Sequence, residues 1–444
     1  MSQKRLNIVK HAKGIATPLA VVIIIVVLIV GIVGGYFLAP SKSSSSGKLS
    51  GVLNIGVAIP LTGNLGTYGA NAQAALNLAA SQINALLQTS NAGYSVKLIY
   101  EDTQTLPNIA LTDTQDLASK GCQVILGYYS SGELSNCLTY AQTNHIVLIS
   151  PSSTAISLAY APRPYIYRFV PADDKQGPAM AEGIWSDGVT YIVPLWQDTT
   201  YGDGLVNATE AKMVALGGGY DPNGIKYDAS ATDFSTQVSV LATEVQKAVN
   251  QYGASKVGVY AVTYEEIQSI MDDAVQYPIL NQVKWFGCDG SALSAKLSDD
   301  PVAAAFAVNV TFPATYFAPP NSSLLTEVSD YVHAQTGHIP DPYAYGSYDS
   351  LWVVAKCIGL TGQYNGVAIN DVLPGVANVT YGASGWTALN QYGDRTIGDY
   401  QFWEVEQVTS AAAGHSTSAG TYDWRLAGLY SAATDSVTWY PPSS

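Results

Sequence analysis

Apolar and polar positions alternate in two different rhythms along this chain. Short apolar runs such as Val124–Leu126 and Ile146–Ile149 are typical of strands buried in a parallel sheet. Longer stretches between them, such as residues 72–87, carry apolar residues at helical spacing. The pattern predicts strands at 53–59, 96–100, 124–126, 146–149, 191–196, 225–227, 256–262 and 283–287, and helices at 72–87, 107–119, 134–143, 204–216, 234–250 and 265–276.

Regular alternation of strand and helix is the pattern of parallel sheets covered by helices, so the sequence predicts an α/β fold. One such sheet rarely absorbs roughly 400 residues, and two lobes are therefore expected.

Two of the predicted strands each lead into a loop rich in hydroxyl groups. Ser130 and Ser131 follow the strand at 124–126, and Ser152, Ser153 and Thr154 follow the strand at 146–149. In open parallel sheets, ligands bind outside the carboxyl ends of the strands. Hydroxyls and free backbone N–H groups at helix starts suit an anionic group, most simply a carboxylate. The alternative interpretation is ordinary helix capping by Ser and Thr.

The amino-terminal part of the chain predicts a membrane anchor. Residues 14–41 carry no charged side chain, and Lys4, Arg5, Lys10 and Lys13 lie on their amino side. This length can cross a bilayer, and the positive-inside rule places the first residues in the cytoplasm. We expect a basic cytoplasmic leader at 1–14, a single-pass anchor or signal at 15–39 and a Ser-rich linker at 40–50, with the remainder extracellular. A cleaved secretory signal is the alternative. Lys13-Gly14-Ile15 resembles the pilin-like leader of archaeal surface proteins, which is cleaved after the glycine.

The acidic charge of the chain argues against nucleic acid as a partner. The net charge is −14, and six basic residues precede residue 49 with no acid among them, so the outer part is more acidic still. Four sequons begin at Asn207, Asn309, Asn321 and Asn378 in this outer part, as expected of a surface glycoprotein.

All four cysteines also lie in the outer part, at Cys122, Cys137, Cys288 and Cys357. An oxidising compartment allows disulfides, so at least one bond is predicted, with Cys122–Cys137 as the favoured pair. No two cysteines have the CxxC spacing of a metal site, and no metal or other cofactor is expected.

Seven segments occur in an order that resembles a known family. They are PLTGNLGTYG at 60–69, GYYSSG at 127–132, LISPSSTA at 148–155, TTYGDGL at 199–205, VYAVTYEEIQ at 259–268, AYGSYDSLWVVAKCIGL at 344–360 and LNQYGDR at 389–395. The chain resembles the extracytoplasmic solute-binding proteins of type 1 periplasmic-binding-protein fold that serve branched-chain amino acid and amide ABC transporters. The resemblance covers most of residues 53–440.

The resemblance implies a two-lobed protein that closes on its ligand. Lobe 1 would comprise residues 51–172 with 291–385, and lobe 2 residues 173–290 with 386–440. Three hinge strands would join them, and closure would trap the ligand between the lobes. An ABC permease in the membrane would then receive the ligand.

The resemblance also implies which side chains bind the ligand. Ser131 and Thr154 would donate hydrogen bonds to a ligand carboxylate, helped by the backbone at Ser152 and Ser153. Glu266, with Glu265 as the alternative register, would pair with a ligand ammonium. Tyr201 would close from lobe 2 and Tyr68 would form an apolar wall.

The sequence departs from the amino acid binders of this family at two places. Ser152-Ser153 stand where small apolar residues are frequent, and Tyr128-Tyr129 add bulk. These residues leave room for a more polar amino acid, a short peptide or an amide.

Two other functions compete with ligand delivery. No GxSxG, HExxH or Walker-type motif is present, so an enzyme is not expected. A sensory or structural surface protein using the same cleft is the remaining alternative.

Overall fold

The computed structural model describes residues 49–396, 398–408 and 421–442. The predicted leader and membrane span, and most of the predicted linker, lie outside these ranges and stay predictions. Among the described residues, no helix is both long and apolar enough to cross a membrane. The four sequon asparagines are all exposed, which is compatible with glycosylation.

The chain alternates between strands and helices as the sequence pattern predicts. The strands are β1 Gly51–Ile59, β2 Tyr94–Asp102, β3 Val124–Gly127, β4 Val147–Ser150, β5 Ile166–Arg168, β6 Tyr191–Gln197, β7 Gly219–Tyr220, β8 Ile225–Tyr227, β9 Val257–Val262, β10 Lys284–Phe286, β11 Ala314–Phe317, β12 Tyr381–Gly382, β13 Gly385–Trp386, β14 Tyr400–Gln407, β15 Tyr422–Ser431 and β16 Ser436–Trp439. The helices are α1 Gly66–Thr89, α2 Pro107–Ser119, α3 Ser131–Asn144, α4 Asp173–Ser186, α5 Thr200–Ala215, α6 Ser235–Tyr252, α7 Ile267–Ala274, α8 Ala295–Asp299, α9 Pro301–Val310, α10 Ser323–Thr336, α11 Pro342–Thr361 and α12 Gly366–Asn378.

The first sheet is parallel, with the strand order β2-β1-β3-β4-β5. Every residue of β3 and β4 is buried, which explains their continuous apolar sequences. Strands β1 and β3 run so close together that a Cβ on Gly127 would lie 1.9 Å from the carbonyl oxygen of Ala58. Gly127 also has a φ of +130°, which only glycine adopts readily. This turn directs the chain into the first serine loop.

The second sheet is also parallel, with the order β10-β9-β6-β7 and β8 paired to β6. Helices α5 and α6 pack on β6, and α4 packs on α5. The prediction of an α/β fold with two parallel sheets is therefore confirmed.

A third sheet is antiparallel, in the order β11-β14-β15-β16. Its strands β14 and β15 pair antiparallel over most of their length. After β11 the chain returns to the first sheet, where α10 and α11 pack on α1. Helix α9 packs against α7 and β10, elements of the second sheet, whereas the predicted division assigns residues 291–310 to lobe 1. The lobe boundaries themselves stay a prediction.

The predicted disulfide is wrong, because all four cysteines are free and buried. Cys122 precedes β3 and Cys137 lies in the middle of α3, and both pack in one apolar cluster beneath the first sheet. The Cys137 Sγ accepts a hydrogen bond from the Thr114 hydroxyl at 3.2 Å. The thiols therefore serve as core side chains, as free cysteine commonly does.

A cluster of buried charges lies where β5 meets the returning chain. Arg168 is fully buried, and its Nε donates to the Asp394 Oδ1 at 2.6 Å, while Arg163 pairs with the same carboxylate oxygen. Strand β5 and the returning chain also form a parallel bridge between Arg168 and Asp394. Because buried charges are costly unless paired, this cluster fixes the place where the chain segments cross.

We expect Asp394→Ala to lower the free energy of unfolding by about 3–5 kcal/mol, because it leaves two buried guanidinium groups without their shared carboxylate. Urea unfolding followed by circular dichroism would measure this. Asp116→Ala is the control, since Asp116 pairs with Lys120 on an exposed helix surface, and such pairs are worth about 1 kcal/mol or less. Equal losses in the two variants would contradict the assignment.

Candidate functional site

One cavity lies between loops that follow the strands of the first and second sheets. It is small: only about 10 Å³ can hold the centre of a water molecule. The lining residues come from both sheets and from the start of α11; they are Leu65, Tyr68, Tyr129, Ser131, Ser152, Thr154, Tyr201, Tyr264, Asp289, Gly290 and Tyr343. Five of the seven predicted ligand residues are therefore brought together.

The hydroxyl groups of the first sheet occupy one side of the cavity. Ser130 caps α3 in a capping box with Glu133 and does not line the cavity, so the capping interpretation holds for this residue. Ser131 accepts a hydrogen bond from the Ala155 N–H at 3.1 Å through its Oγ, which leaves its own O–H free to donate. The Ser152 hydroxyl instead donates to the Tyr129 carbonyl at 2.8 Å.

Ser153, another predicted ligand residue, lies behind the cavity and holds the two loops together. Its hydroxyl donates to the carbonyls of Tyr128 at 2.7 Å and Ser130 at 3.1 Å. Tyr128 has a φ of +63°, a left-handed conformation that is unusual for a bulky residue. The bonds from Ser153 fix this conformation and so orient the loop that carries Tyr129 and Ser131.

A carboxylate and two phenols occupy the opposite side. Asp289 follows β10, and its Oδ1 accepts a hydrogen bond from the Tyr201 hydroxyl at 2.6 Å. Its Oδ2 accepts from the Tyr343 hydroxyl, and its backbone N–H donates to the Gln176 Oε1 at 2.9 Å. Tyr201 stacks on Tyr264, with ring centroids 5.4 Å apart. Aromatic side chains therefore surround the Asp289 carboxylate and fix its orientation.

Asp289 shares its surroundings with a second buried acid, Asp173, at the start of α4. Burial raises the pKa of Asp289, although hydrogen bonds from Tyr201 and Tyr343 oppose the change. Burial also raises the pKa of Asp173, and repulsion from Asp289 adds to it. Hydrogen bonds from the Thr154 side chain and from the Gln176 amide, the latter at 3.0 Å, oppose the rise of the Asp173 pKa. A cation in the cavity would relieve this unfavourable charge.

The structure places Glu266, the predicted ammonium ligand, outside the cavity lining. Its Oε1 already accepts hydrogen bonds from the Tyr227 hydroxyl at 2.6 Å, the Tyr264 N–H at 2.9 Å and the Gln197 amide. These contacts fix the backbone that presents Tyr264. Glu265, the alternative register, contacts Thr67 and Ser294 instead. The predicted roles of all seven residues stay predictions.

Sequence reasoning missed Asp289, Tyr343 and Tyr264, whereas it expected Tyr129 to add bulk to the pocket, and Tyr129 lines the cavity. Asp289 follows the predicted strand at 283–287, so the rule that singled out the serine loops also applies to it. Tyr343 gives no comparable sequence signal, because it reaches the cavity from a helix far along the chain. Within the described ranges, no group of three potential metal ligands is present.

We expect Asp289→Asn to raise the melting temperature at pH 7. The folded-state pKa of Asp289 lies above the unfolded value, so the folded chain binds more protons between the two. Its contribution to stability is complete below the unfolded pKa and is lost as pH rises through the folded pKa. The advantage of the variant should therefore shrink as pH falls toward about 4.

Thermal unfolding at several pH values would measure this difference. Asp116→Asn is the matched control, because a hydrogen bond from Lys120 lowers the pKa of Asp116, and the sign at pH 7 should be reversed or near zero. A wild-type protein more stable than Asp289→Asn at pH 7 would contradict the expectation.

Comparison with known proteins identifies the family. A family model described as "Periplasmic binding protein" matches residues 52–413. An uncharacterized protein of Methanocaldococcus jannaschii is 30% identical over 438 residues, which cover 92% of this chain and 98% of that protein.

Solved structures match the same fold. A branched-chain amino acid transporter substrate-binding protein from Streptococcus pneumoniae, in complex with isoleucine, has a TM-score of 0.63 and 19% identity, covering 84% of this chain and 99% of its own. A solute-binding protein of an ABC transporter from Rhodopseudomonas palustris, in complex with 3,4-dihydroxybenzoic acid, has a TM-score of 0.64 and 17% identity, covering 84% and 96%. At these identities the structures show the fold alone. This chain belongs to the periplasmic binding protein family and has the two-lobed type 1 fold.

Proposed function

We propose that this protein is the extracellular solute-binding component of an ABC transporter. It captures an amino acid or a related small amide by lobe closure and delivers it to a permease. One observation carries the proposal: hydroxyl groups from the first sheet and the Asp289 carboxylate from the second face one cavity. A zwitterion needs donors for its carboxylate and an acceptor for its ammonium, and these two sides supply them.

The carboxylate would lie beside the first turn of α3. Ser131 is the first residue of that helix, its O–H is free to donate, and the helix dipole favours negative charge there. Thr154 lines the same side, and the Ser152 hydroxyl is already engaged with Tyr129. Ser131 is thus the strongest candidate among the predicted hydroxyls, and Thr154, whose side chain hydrogen-bonds to Asp173, would have to exchange that bond for one to the ligand.

The ammonium would lie beside Asp289. A carboxylate that accepts one phenol on each oxygen still has lone pairs for a further donor. The rings of Tyr201, Tyr264 and Tyr343 line the same wall and can add cation–π attraction. We therefore assign the ammonium to Asp289, which lines the cavity, rather than to Glu266, which does not, although the Glu266 Oε2 has no hydrogen-bond partner among the described residues.

The ligand can enter only when the lobes separate. A space of about 10 Å³ corresponds to roughly one water molecule. The tyrosine walls favour a small or polar side chain over a long aliphatic one.

Two alternatives use the same cavity. An aromatic acid, such as the ligand in the Rhodopseudomonas palustris structure, could use the hydroxyls but would leave Asp289 without a cation. A sensory surface protein would bind the same ligands and differ only in its downstream partner.

We expect Asp289→Asn and Thr154→Val each to weaken amino acid binding by about ten- to a hundredfold, because each removes a bond to a charged ligand group worth about 1.5–3 kcal/mol. Isothermal titration calorimetry with the twenty amino acids, their amides and benzoic acids would measure this. An amide lacks the carboxylate and should lose less in Thr154→Val, whereas a benzoic acid should lose little in Asp289→Asn.

Glu266→Gln should be compared with Asp289→Asn. The substituted Gln keeps Oε1 as a hydrogen-bond acceptor, and residue 266 lies outside the cavity lining. If it weakens amino acid binding and Asp289→Asn does not, the ammonium belongs to Glu266. If a ligand binds and neither Asp289→Asn nor Thr154→Val changes its affinity by more than about threefold, the cavity is not the binding site.

We also propose that residues 15–39 tether the domain to the outer face of the cell membrane. The uncharged stretch and the basic residues before it support this orientation. Protease added to intact cells should therefore remove the domain, and digestion only after lysis would contradict the orientation.

A further inference from the structure

The long helix α1 lacks a capping side chain of its own. Leu65 occupies its N-cap position without a side-chain hydrogen bond, and its first turn contains no acidic residue. Free N–H groups at a helix start need partners and favour negative charge. Thr67, in this first turn, donates its backbone N–H to the Glu265 Oε2 at 3.2 Å, and its hydroxyl donates to Oε1.

Glu265 reaches this helix from the second sheet. It follows β9, its side chain is fully buried, and its backbone N–H donates to the Asn64 carbonyl at 3.1 Å. The Ser294 hydroxyl donates to Oε1 at 3.0 Å, and the Lys296 Nζ lies 3.6 Å from Oε2. Two groups at the start of α8 thus hold the carboxylate in place for a helix of the first sheet.

Two further bonds cross at the same place. The Lys296 Nζ donates to the Gly63 carbonyl at 2.8 Å. The hydroxyl of Tyr68, the residue after Thr67, lies 3.1 Å from the Gly290 carbonyl and 2.9 Å from the Ala292 carbonyl. Tyr68 and Gly290 both line the cavity. The contacts of Glu265 therefore adjoin the binding cavity without entering it.

We propose that Glu265 is a positioning residue for the binding site, a carboxylate latch that caps α1 from the opposite lobe and holds the cavity closed. The inference rests on the proposed function only in taking the cavity as the ligand site. Separation of the lobes breaks every contact of Glu265 with Thr67 and Asn64, and leaves α1 uncapped. Capping and charge-assisted bonds of this kind shift an equilibrium by about tenfold.

The test measures closure in the ligand-free protein, so it does not depend on the identity of the ligand. Nitroxide labels at Ser81→Cys on α1 and Gln276→Cys after α7 report the distance between the two sides by pulsed electron paramagnetic resonance. Both positions are exposed, whereas the four native thiols are buried. We expect Glu265→Ala to raise the ratio of open to closed molecules about tenfold, and Thr67→Val and Glu265→Gln to raise it less.

Glu244→Ala is the matched control, because Glu244 lies on α6 of the second sheet and pairs only locally with Lys247 at 2.8 Å. An unchanged distance distribution in the control, with a shift in the Glu265 variants, supports the latch. If Glu265→Ala does not fold, the latch is tested with Thr67→Val and Glu265→Gln, since these substitutions keep the side-chain volume.

A ratio within twofold of the wild type in folded Glu265 and Thr67 variants overturns the latch. Failure of the latch and failure of the proposed function are distinguishable. Amino acid binding with an unshifted ratio refutes only the latch, and a shifted ratio without amino acid binding refutes only the proposed ligand.

Discussion

The ion pair between Arg168 and Asp394 is the interaction on which the rest of the site depends. The Arg168 Nη1 also donates to the carbonyls of Ser153 at 3.0 Å and Ala155 at 2.9 Å, on either side of Thr154. One buried side chain thus joins the end of β5, the second serine loop and the segment that contains Asp394. Removing the carboxylate would release the guanidinium that holds this loop in shape.

A buried cation near a buried carboxylate site also sets the electrostatic character of the cavity. Arg168 lowers the pKa of Asp173, but this effect is smaller than the burial that raises it. The acids Asp173 and Asp289 therefore carry an unfavourable charge that a ligand cation would offset. Under the proposed function this cost has a counterpart, because groups that reduce the stability of the empty protein would bind a ligand cation.

Much of the fold could be predicted from the sequence because buried parallel strands are continuous apolar runs, and those of β3, β4 and β9 are short and clearly bounded. The serine loops after β3 and β4 could also be predicted, because their hydroxyl groups directly follow the ends of neighbouring strands. The acid that lines the cavity could not be predicted. Glu265, Glu266 and Asp289 all lie near strand ends, and the sequence does not show which of these carboxylates are already hydrogen-bonded. The Glu266 Oε1 accepts three local hydrogen bonds while its Oε2 accepts none from the described residues, and the Glu265 carboxylate bonds to the start of another helix. Only the tertiary packing reveals these contacts.

The cysteines are a case in which the prediction from the sequence is wrong. A disulfide was predicted only because an oxidising compartment was expected, whereas Cys122 and Cys137 are small apolar residues of the core. In the described part of the chain, no covalent cross-link ties the two sheets or the crossing segments together. The described part of the chain is therefore held together by apolar packing, hydrogen bonds and buried ion pairs such as that between Arg168 and Asp394.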